Sequence, residues 1–262
     1  MSGLKDKVAI IYGAGGAIGS AVARAFAREG ARVFLTGRHL APVEDVAKDI
    51  VSAGGLAEAA EVDALDEGAI DRQLQSVMSE AGRVDISFNA VGYSMSKALG
   101  ASLVDMDLKQ FSTPIVCYTN SYFLTARLAA RRMLPNRAGV IMTVTAPPAR
   151  IGTPNGGYGP AQAAKEAMTR YLSAELAPQG LRVLCLRSYA MLETKTLREI
   201  FESMGEKQGL SWEQFAGFLA GNTHPKRALT LPELADVAAF AASDRASGMM
   251  ATVNLSLGVM DG

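Results

Sequence analysis

Val8-Ala-Ile-Ile-Tyr12 leads directly into Gly13-Ala-Gly-Gly-Ala-Ile-Gly19, and a helical pattern follows from about residue 17. Five consecutive apolar residues are too few for an amphipathic surface helix, so this segment is predicted to be a buried strand. Glycines after a strand permit a tight turn, and they let backbone N–H groups approach a phosphate at the positive end of the next helix. A glycine-rich turn can also be an ordinary connection, but a strand before it and a helix after it favour a nucleotide site. The candidate contacts in this turn are Gly13, Gly15, Gly16, Ile18 and Gly19.

Short apolar runs and helical patterns alternate along the rest of the chain. Further strands are predicted at residues 32–35, 56–62, 84–88, 140–144 and 182–186. Helices are predicted at about residues 17–29, 42–53, 66–81, 105–134, 158–177 and 232–243. This alternation is typical of an α/β fold, a Rossmann-like doubly wound parallel sheet with helices on both faces. Residues 1–262 are expected to form a single domain, in which residues 191–224 are a helical insert acting as a substrate lid.

The overall composition argues against several classes of protein. The 262 residues include 26 basic and 26 acidic side chains, a balance that gives no footprint for nucleic acid or an acidic membrane surface. No segment of the sequence approaches the roughly 18 uninterrupted apolar residues of a membrane helix. His39 and His224 are too few for a metal cluster, and Cys117 and Cys185 lack metal-binding spacing. We therefore expect a soluble cytoplasmic protein that binds a small molecule, without nucleic acid, membrane or metal.

The segment Tyr158-Gly-Pro-Ala-Gln162-Ala-Ala-Lys165 resembles the catalytic helix of the short-chain dehydrogenase/reductase family. The family signature is a tyrosine, three residues and then a lysine, and here Gln162 stands at the lysine position. Three downstream segments lie at the family's distances from residue 162: Thr169-Arg170, Glu175-Leu-Ala-Pro178 and Gly180-Leu-Arg-Val183. The resemblance extends from Lys7 to about Gly258 and implies an oxidoreductase that uses a nicotinamide dinucleotide.

The resemblance implies roles for individual residues beside the nicotinamide. In the family, the tyrosine and a serine hold the substrate carbonyl oxygen, while the lysine binds the nicotinamide ribose and acidifies the tyrosine. Tyr158 and Gln162 occupy the tyrosine and lysine positions. The serine position falls on Thr145 when counted back from Tyr158 and on Ala146 when counted forward from Gly139; we favour Thr145.

Other positions near the nicotinamide depart from the family pattern. Tyr118 stands where the family has an asparagine, and Asn120 lies on a different side of the same predicted helix. Ser188-Tyr189 replaces the family's Pro-Gly, whereas Glu193-Thr194 resembles the threonine that contacts the nicotinamide carboxamide, which makes Thr194 a candidate contact.

The loss of the lysine is expected to weaken acid–base chemistry at Tyr158. A unit charge about 4 Å away contributes roughly 4 kcal/mol at an effective dielectric constant near 20, which corresponds to about 3 pKa units. Replacing Gln162 with lysine is therefore expected to raise reductase activity near neutral pH. Lys165 has the Tyr-x6-Lys spacing of enoyl reductases and lies on the same helix face as Tyr158, so it is an alternative source of the missing cation. The downstream segments put the enoyl-reductase lysine at residue 162, however, so we favour a surface position for Lys165.

The end of the second predicted strand bears on the choice of cofactor. A carboxylate at the Gly37 position would bind a ribose 2′-OH and select NAD(H), whereas the following Arg38 supplies a cation that can bind a 2′-phosphate. NADP(H) is therefore the expected cofactor. Asp63, after the third strand, and the stretch Asn89-Ala90-Val91-Gly92, after the fourth, match the family's adenine-side contacts, although Asp63 could also be a turn residue.

The expected activity is reduction of a carbonyl or an activated double bond of an apolar small molecule, and the alternative is a cofactor-binding sensor or a structural subunit. Apolar residues of the insert favour such a substrate, although they could equally pack the insert itself: Met204, Trp212, Phe215, Phe218 and Leu219. A homo-oligomer, a tetramer or a dimer, is also expected. Family members pair through the two long helices, which here carry small residues: Ala126, Ala129, Ala130, Ala163, Ala164 and Ala167.

Overall fold

The computed structural model describes residues 3–94, 102–150, 152 and 155–259, with only the backbone described at residues 203, 204 and 207. The strands in these ranges are β1 (Val8–Tyr12), β2 (Arg32–Gly37), β3 (Leu56–Glu61), β4 (Ile86–Asn89), β5 (Gly139–Thr145), β6 (Leu181–Ser188) and β7 (Ala251–Leu255). The helices are α1 (Ala17–Arg28), α2 (Leu40–Ser52), α3 (Glu67–Ala81), α4 (Leu108–Met133), α5 (Tyr158–Leu176), α6 (Lys195–Ile200), α7 (Trp212–Gly221) and α8 (Leu231–Ala242).

The strands form one parallel sheet in the order β3-β2-β1-β4-β5-β6-β7. The predicted single-domain, doubly wound α/β fold is confirmed. All five residues of β1 are buried because helices cover both faces of the centre of the sheet. The chain order reverses between β1 and β4, and the crevice beyond the carboxyl ends of strands at such a reversal is where open α/β sheets bind ligands.

Strand β7 was not predicted from the sequence. It pairs with β6 in a register that aligns Leu184 with Ala251. This edge strand is only partly buried, and Thr252 and Asn254 interrupt its apolar residues. It therefore lacks the continuous apolar run that identified the central strands.

Two apolar layers hold the helices on the sheet. One layer packs α1, α2 and α8 on one face, with the Phe26 ring edge-to-face against Phe88 at 6.2 Å between centroids. The other packs α3, α4 and α5 on the opposite face and contains the buried Tyr122. Ala126, Ala129 and Ala130 of α4 are buried in this second layer. They cannot form a small-residue face for a partner subunit, which corrects that part of the expectation.

The insert between β6 and α8 contains α6, a π-helical turn at Phe201–Gly205 and α7. Arg198 stacks on the Trp212 ring with 3.7 Å between its Cζ and the ring centroid, and Phe201 packs edge-on to the same ring. The side chain of Met204 lies outside the described residues. No helix in the described part of the chain is long and apolar enough to cross a membrane.

Gly19 lies where α1 crosses the glycine-rich turn, and a Cβ there would overlap the carbonyl oxygen of Gly13. Gly19→Ala should therefore destabilise the fold by about 1–3 kcal/mol, because a packed backbone must shift. At this chain length that lowers Tm by roughly 2–10 °C in a thermal melt.

Gly217→Ala is the matched control, since Gly217 is exposed within α7 and a Cβ there meets nothing within 4 Å. This variant should be neutral or more stable by up to about 1 kcal/mol, because alanine favours the helix. Equal Tm values for Gly19→Ala and wild type would contradict the steric argument.

Candidate active site

A groove of about 460 Å³ lies over the glycine-rich turn at the carboxyl edge of the sheet. Gly13 adopts φ 76°, and a Cβ there would lie 2.7 Å from the carbonyl oxygen of Ala90, so the turn can approach β4 only with glycine. Gly16 is the N-cap of α1 and no side chain caps this helix, which leaves its first N–H groups available to a ligand. A pyrophosphate fits these groups, as it would be held by backbone N–H donors at the positive helix end.

Most of the predicted cofactor residues line this groove. They are Gly13, Gly15, Gly16, Ile18, Arg38, Asp63, Ala90, Gly92 and Thr194. Two do not: Gly19 is buried under the turn, and the Asn89 side chain donates to Thr125 Oγ1 at 3.0 Å and accepts from the Val91 N–H at 3.3 Å. Asn89 therefore ties β4 to α4 and shapes the loop whose next residues form the groove.

Arg38 and Asp63 both line the groove, but their contacts differ. Arg38 is exposed and its guanidinium makes no hydrogen bond or ion pair with any described residue. A side chain at the neighbouring Gly37 would require Val43 to shift, since a Cβ would lie 2.8 Å from Val43 Cγ2. The Asp63 carboxylate accepts from the Leu65 N–H at 2.9 Å, so it does act as the turn residue that the sequence left as an alternative.

A second cavity of about 450 Å³, here called the apolar cavity, adjoins the groove. The two share six lining residues: Ile18, Ala90, Val91, Gly92, Thr194 and Thr196. Phe215, Phe218 and Leu219 of α7 form part of the apolar cavity wall, so the insert contributes to it. Trp212 instead packs inside the insert and does not line the cavity.

One face of α5 lines the apolar cavity with Tyr158, Gln162 and Lys165. These positions are four and three residues apart, which puts them on one side of the helix. Gly157 begins this helix close to α4, because a Cβ there would overlap the carbonyl oxygen of Phe111. Gln162 is 2% exposed, and its amide has no hydrogen-bond partner among the described residues.

Lys165 is not at the surface, so that expectation is wrong. The residue is 1% exposed and its Nζ donates to the backbone carbonyl oxygen of Val144 at 2.8 Å. The Nζ also lies 5.6 Å from the ring centroid of Tyr118 and 5.8 Å from that of Tyr122. Burial lowers the pKa of Lys165 to about 8, because the charged form is poorly solvated.

Tyr118 and Tyr158 pack edge-to-face, with 5.6 Å between ring centroids. The Tyr118 hydroxyl accepts from the Tyr93 N–H at 3.2 Å, and burial raises its pKa to about 12. Burial and the neighbouring Tyr118 raise the pKa of Tyr158 well above its usual value. The phenol of Tyr158 has no hydrogen-bond partner in the described part of the chain.

A buried polar cluster lies behind the cavity and includes Thr145. The Thr145 hydroxyl donates to Glu166 Oε1 and contacts Cys185 Sγ, both at 3.0 Å. Arg187 of β6 binds Glu166 of α5 through two hydrogen bonds of 2.7 and 2.6 Å, and their side chains are 6% and 4% exposed. Thr145 and Ala146 both line the cavity, but the Thr145 hydroxyl is already engaged with this cluster.

Helix α6 borders the junction of the two cavities. The Thr194 hydroxyl caps α6 by accepting from the Leu197 N–H at 3.4 Å, and it donates to the Met191 carbonyl oxygen at 2.8 Å. Ser94 donates to the buried Glu199 carboxylate at 2.8 Å, which ties the loop after β4 to α6. No group of His, Cys, Asp or Glu side chains within the described ranges could hold a metal ion.

The fold and the two adjoining cavities suit a dinucleotide beside a second small molecule, the arrangement expected of a dinucleotide-dependent oxidoreductase. The family model described as enoyl-(acyl carrier protein) reductase matches residues 13–256, and the chain belongs to this short-chain dehydrogenase/reductase family. The predicted family is confirmed, and the cofactor is a nicotinamide dinucleotide. The replacement of the family lysine by Gln162 remains a prediction from the sequence.

Relatives and solved structures agree with this assignment. The chain is 27% identical to (+)-borneol dehydrogenase 2 of Salvia officinalis, covering 94% of this chain and 87% of that protein. It is 32% identical to peroxisomal 2,4-dienoyl-CoA reductase of Rattus norvegicus, covering 75% and 67% respectively. A short-chain type dehydrogenase/reductase from Mycobacterium marinum superposes with a TM-score of 0.85 at 26% identity, covering 99% and 97% of the two chains. An NAD⁺-bound xylitol dehydrogenase superposes at 0.88 with 25% identity, covering 97% and 98%.

The buried Glu166–Arg187 pair gives a stability prediction. Arg187→Met should lower the free energy of unfolding by about 3–5 kcal/mol, because it leaves a buried carboxylate without its cation. The double variant Glu166→Gln/Arg187→Met should recover part of this loss. Arg24→Met, which breaks the exposed pair with Asp49, should cost no more than about 1 kcal/mol in the same urea titration. Equal losses for Arg24→Met and Arg187→Met would contradict the argument.

Proposed function

We propose that this chain is an NADP(H)-dependent reductase that transfers a hydride to a carbonyl or an activated double bond of an apolar small molecule. The observation that carries the proposal is the junction of the groove with the apolar cavity at shared residues. A dinucleotide held over the glycine-rich turn would extend its nicotinamide toward this junction. The nicotinamide would supply the hydride there, and the apolar cavity would hold the substrate.

The choice of NADP(H) rests on Arg38. Its guanidinium is exposed in the groove without a partner among the described residues, and a 2′-phosphate would provide one. A carboxylate side chain at residue 37, which would favour NAD(H), is opposed by the close approach of Val43. Charge and space at the end of β2 both support a phosphorylated ribose.

Residues that line the apolar cavity would bind the nicotinamide ribose, bind the substrate oxygen and exclude water. Gln162 offers an amide that can hydrogen-bond the nicotinamide ribose, as the family lysine would, but without charge. The Tyr158 phenol can donate a hydrogen bond to a substrate oxygen. The aromatic and aliphatic wall from α7 excludes water and favours an apolar substrate. The names of two relatives fit the two proposed reaction types. A borneol dehydrogenase fits reduction of a carbonyl, and a dienoyl-CoA reductase fits reduction of an activated double bond.

The test is a fluorescence titration with NADPH and NADH, followed by assays of NADPH oxidation with aryl ketones, aldehydes and cyclic enones. We expect NADPH to bind at least tenfold more tightly than NADH and at least one substrate class to be reduced. Binding without turnover on any substrate would favour the alternative, a cofactor-binding sensor or a structural subunit. Absence of binding to either cofactor would contradict both.

Arg38→Ala should weaken NADPH binding by about 1.5–3 kcal/mol, the contribution of a charged hydrogen bond, and should leave NADH binding nearly unchanged. Calorimetric titration of both cofactors measures the two effects. Arg72→Ala, an arginine on α3 outside the groove, is the control and should change neither affinity. A similar loss for both cofactors in Arg38→Ala would show that Arg38 does not read the 2′-phosphate.

We also propose a homo-oligomer that pairs through the outer faces of α4 and α5. Phe123 on α4 and Tyr171 on α5 are 44% and 78% exposed in the single chain, although both are large and aromatic. Phe123→Glu/Tyr171→Glu should dissociate the assembly, and light scattering at micromolar concentration should report the change in mass. Val51→Glu, at an exposed position on α2, should not. A monomeric wild type would contradict the pairing.

A further inference from the structure

Lys165 is a buried cation in the apolar cavity without a carboxylate partner among the described residues. The carboxylate next to it in sequence, Glu166, is bound on both oxygens by Arg187. The three charges of this region therefore sum to one net positive charge, which is carried by Lys165. Its ammonium group has three N–H donors, and only one of them has a described acceptor, Val144 O.

The titratable groups around Lys165 do not neutralise it. The rings of Tyr118 and Tyr122 and the thiols of Cys117 and Cys185 are its neighbours from α4 and β6, Tyr158 shares its helix face, and Glu166 and Arg187 neutralise each other. Burial raises the pKa of the Cys185 thiol to about 11, and the tyrosines are likewise shifted upward, so these groups are neutral at pH 7. An oxygen that becomes negative in the cavity would therefore be attracted to Lys165 through a medium of low dielectric constant.

The two proton donors on this face of α5 differ in their suitability. Tyr158 is made less acidic by its surroundings, whereas burial brings Lys165 to a pKa of about 8. General acid catalysis is most effective when the donor titrates near the working pH. The side chain of a helical residue also leans toward the N-terminus of the helix, which directs Lys165 toward Tyr158 and the nicotinamide end.

We propose that Lys165, not Tyr158, is the proton donor of this site. The proposal rests on the proposed reductase function. As hydride from the bound cofactor reaches the substrate carbon, the C=O π pair moves to oxygen, and that oxygen takes a proton from the Lys165 ammonium. With an enone the hydride adds to the β-carbon and the enolate takes the same proton. The neutral amine then regains a proton from solvent, so one NADPH and one proton are consumed for each product.

The direct test compares Lys165→Met, Lys165→Arg and Tyr158→Phe in kcat across pH 6–10 under saturating NADPH. In wild type, kcat should fall on a basic limb near pH 8. Lys165→Met should lose about 100-fold or more at pH 7 and lack this limb, with NADPH affinity within threefold of wild type. Lys165→Arg keeps a charge but cannot release a proton, so it too should be impaired and lack the limb. Lys109→Met, an exposed lysine on α4, is the control and should match wild type.

Tyr158→Phe and Gln162→Lys separate the candidate donors further. Tyr158→Phe should be slower but keep the limb near pH 8, because Lys165 is unchanged. Gln162→Lys should gain less than tenfold in wild type, since a cation is already present, and should restore at least tenfold in the Lys165→Met background. The gain from Gln162→Lys in wild type is thus expected to be smaller than a site without any other cation would show.

A measurement without cofactor tests the state of Lys165 itself. Its pKa is lower in the folded chain than in the unfolded chain, so the ammonium penalises folding at pH 7. This penalty disappears as pH rises from about 8 toward the unfolded value of about 10.4. The Tm advantage of Lys165→Met over wild type should therefore be larger at pH 7 than at pH 10.

The outcomes are distinct. A wild type that binds no NADPH overturns the proposed function and the donor role with it. A wild type that reduces substrate, with Lys165→Met equal to it in kcat and pH profile, overturns only the donor role. A limb that disappears in Tyr158→Phe but remains in Lys165→Arg assigns the proton to Tyr158 and also overturns the proposal. If Lys165→Met does not fold, Lys165→Arg and Tyr158→Phe still decide between the two donors.

Discussion

The common direction of the strands is the constraint on which the site depends. Because every strand of the described sheet is parallel, the carboxyl ends of β1, β2, β4, β5 and β6 meet along one edge. The loops after these strands must therefore converge there, and their backbone groups cannot all be paired within the sheet. The glycine-rich groove and the apolar cavity are two parts of this single edge. A hydride donor and a hydride acceptor can thus meet without any movement of the sheet.

Burial of charge then sets the chemistry available at this edge. The fold buries Lys165 in the cavity wall and Arg187 and Glu166 behind it, and pairs only Arg187 with Glu166. The remaining cation, Lys165, is anchored by a backbone carbonyl and two aromatic rings, which hold the amine without neutralising it. The cost of desolvation is the physical reason why a lysine can titrate near neutral pH here. Burying the charged lysine lowers the stability of the fold, and perturbed titratable groups of this kind are common at functional sites.

Much of the fold could be predicted because buried strands are apolar runs and the glycine-rich turn has a steric cause. The edge strand β7 could not, since its half-buried face carries polar residues. Comparison with the family by position predicted the cavity face of α5 through Tyr158 and Gln162 but put Lys165 at the surface. Helical periodicity placed Lys165 on the same face as Tyr158, and this was the better guide. Arg187 in a largely apolar strand also indicated a buried ion pair, because a buried charge requires a partner such as Glu166.

Transfer of deuterium from cofactor to substrate is the decisive test of reductase activity. The protein would be mixed with NADPH dideuterated at C4 of the nicotinamide and with the ketones and enones of the substrate panel, and the products analysed by mass spectrometry. We expect one deuterium on the substrate carbon for each NADPH oxidised, with the oxygen-bound or α-carbon hydrogen derived from solvent. Tight binding of NADPH with no deuterated product from any member of the panel would contradict a reductase and leave a protein that only binds its cofactor.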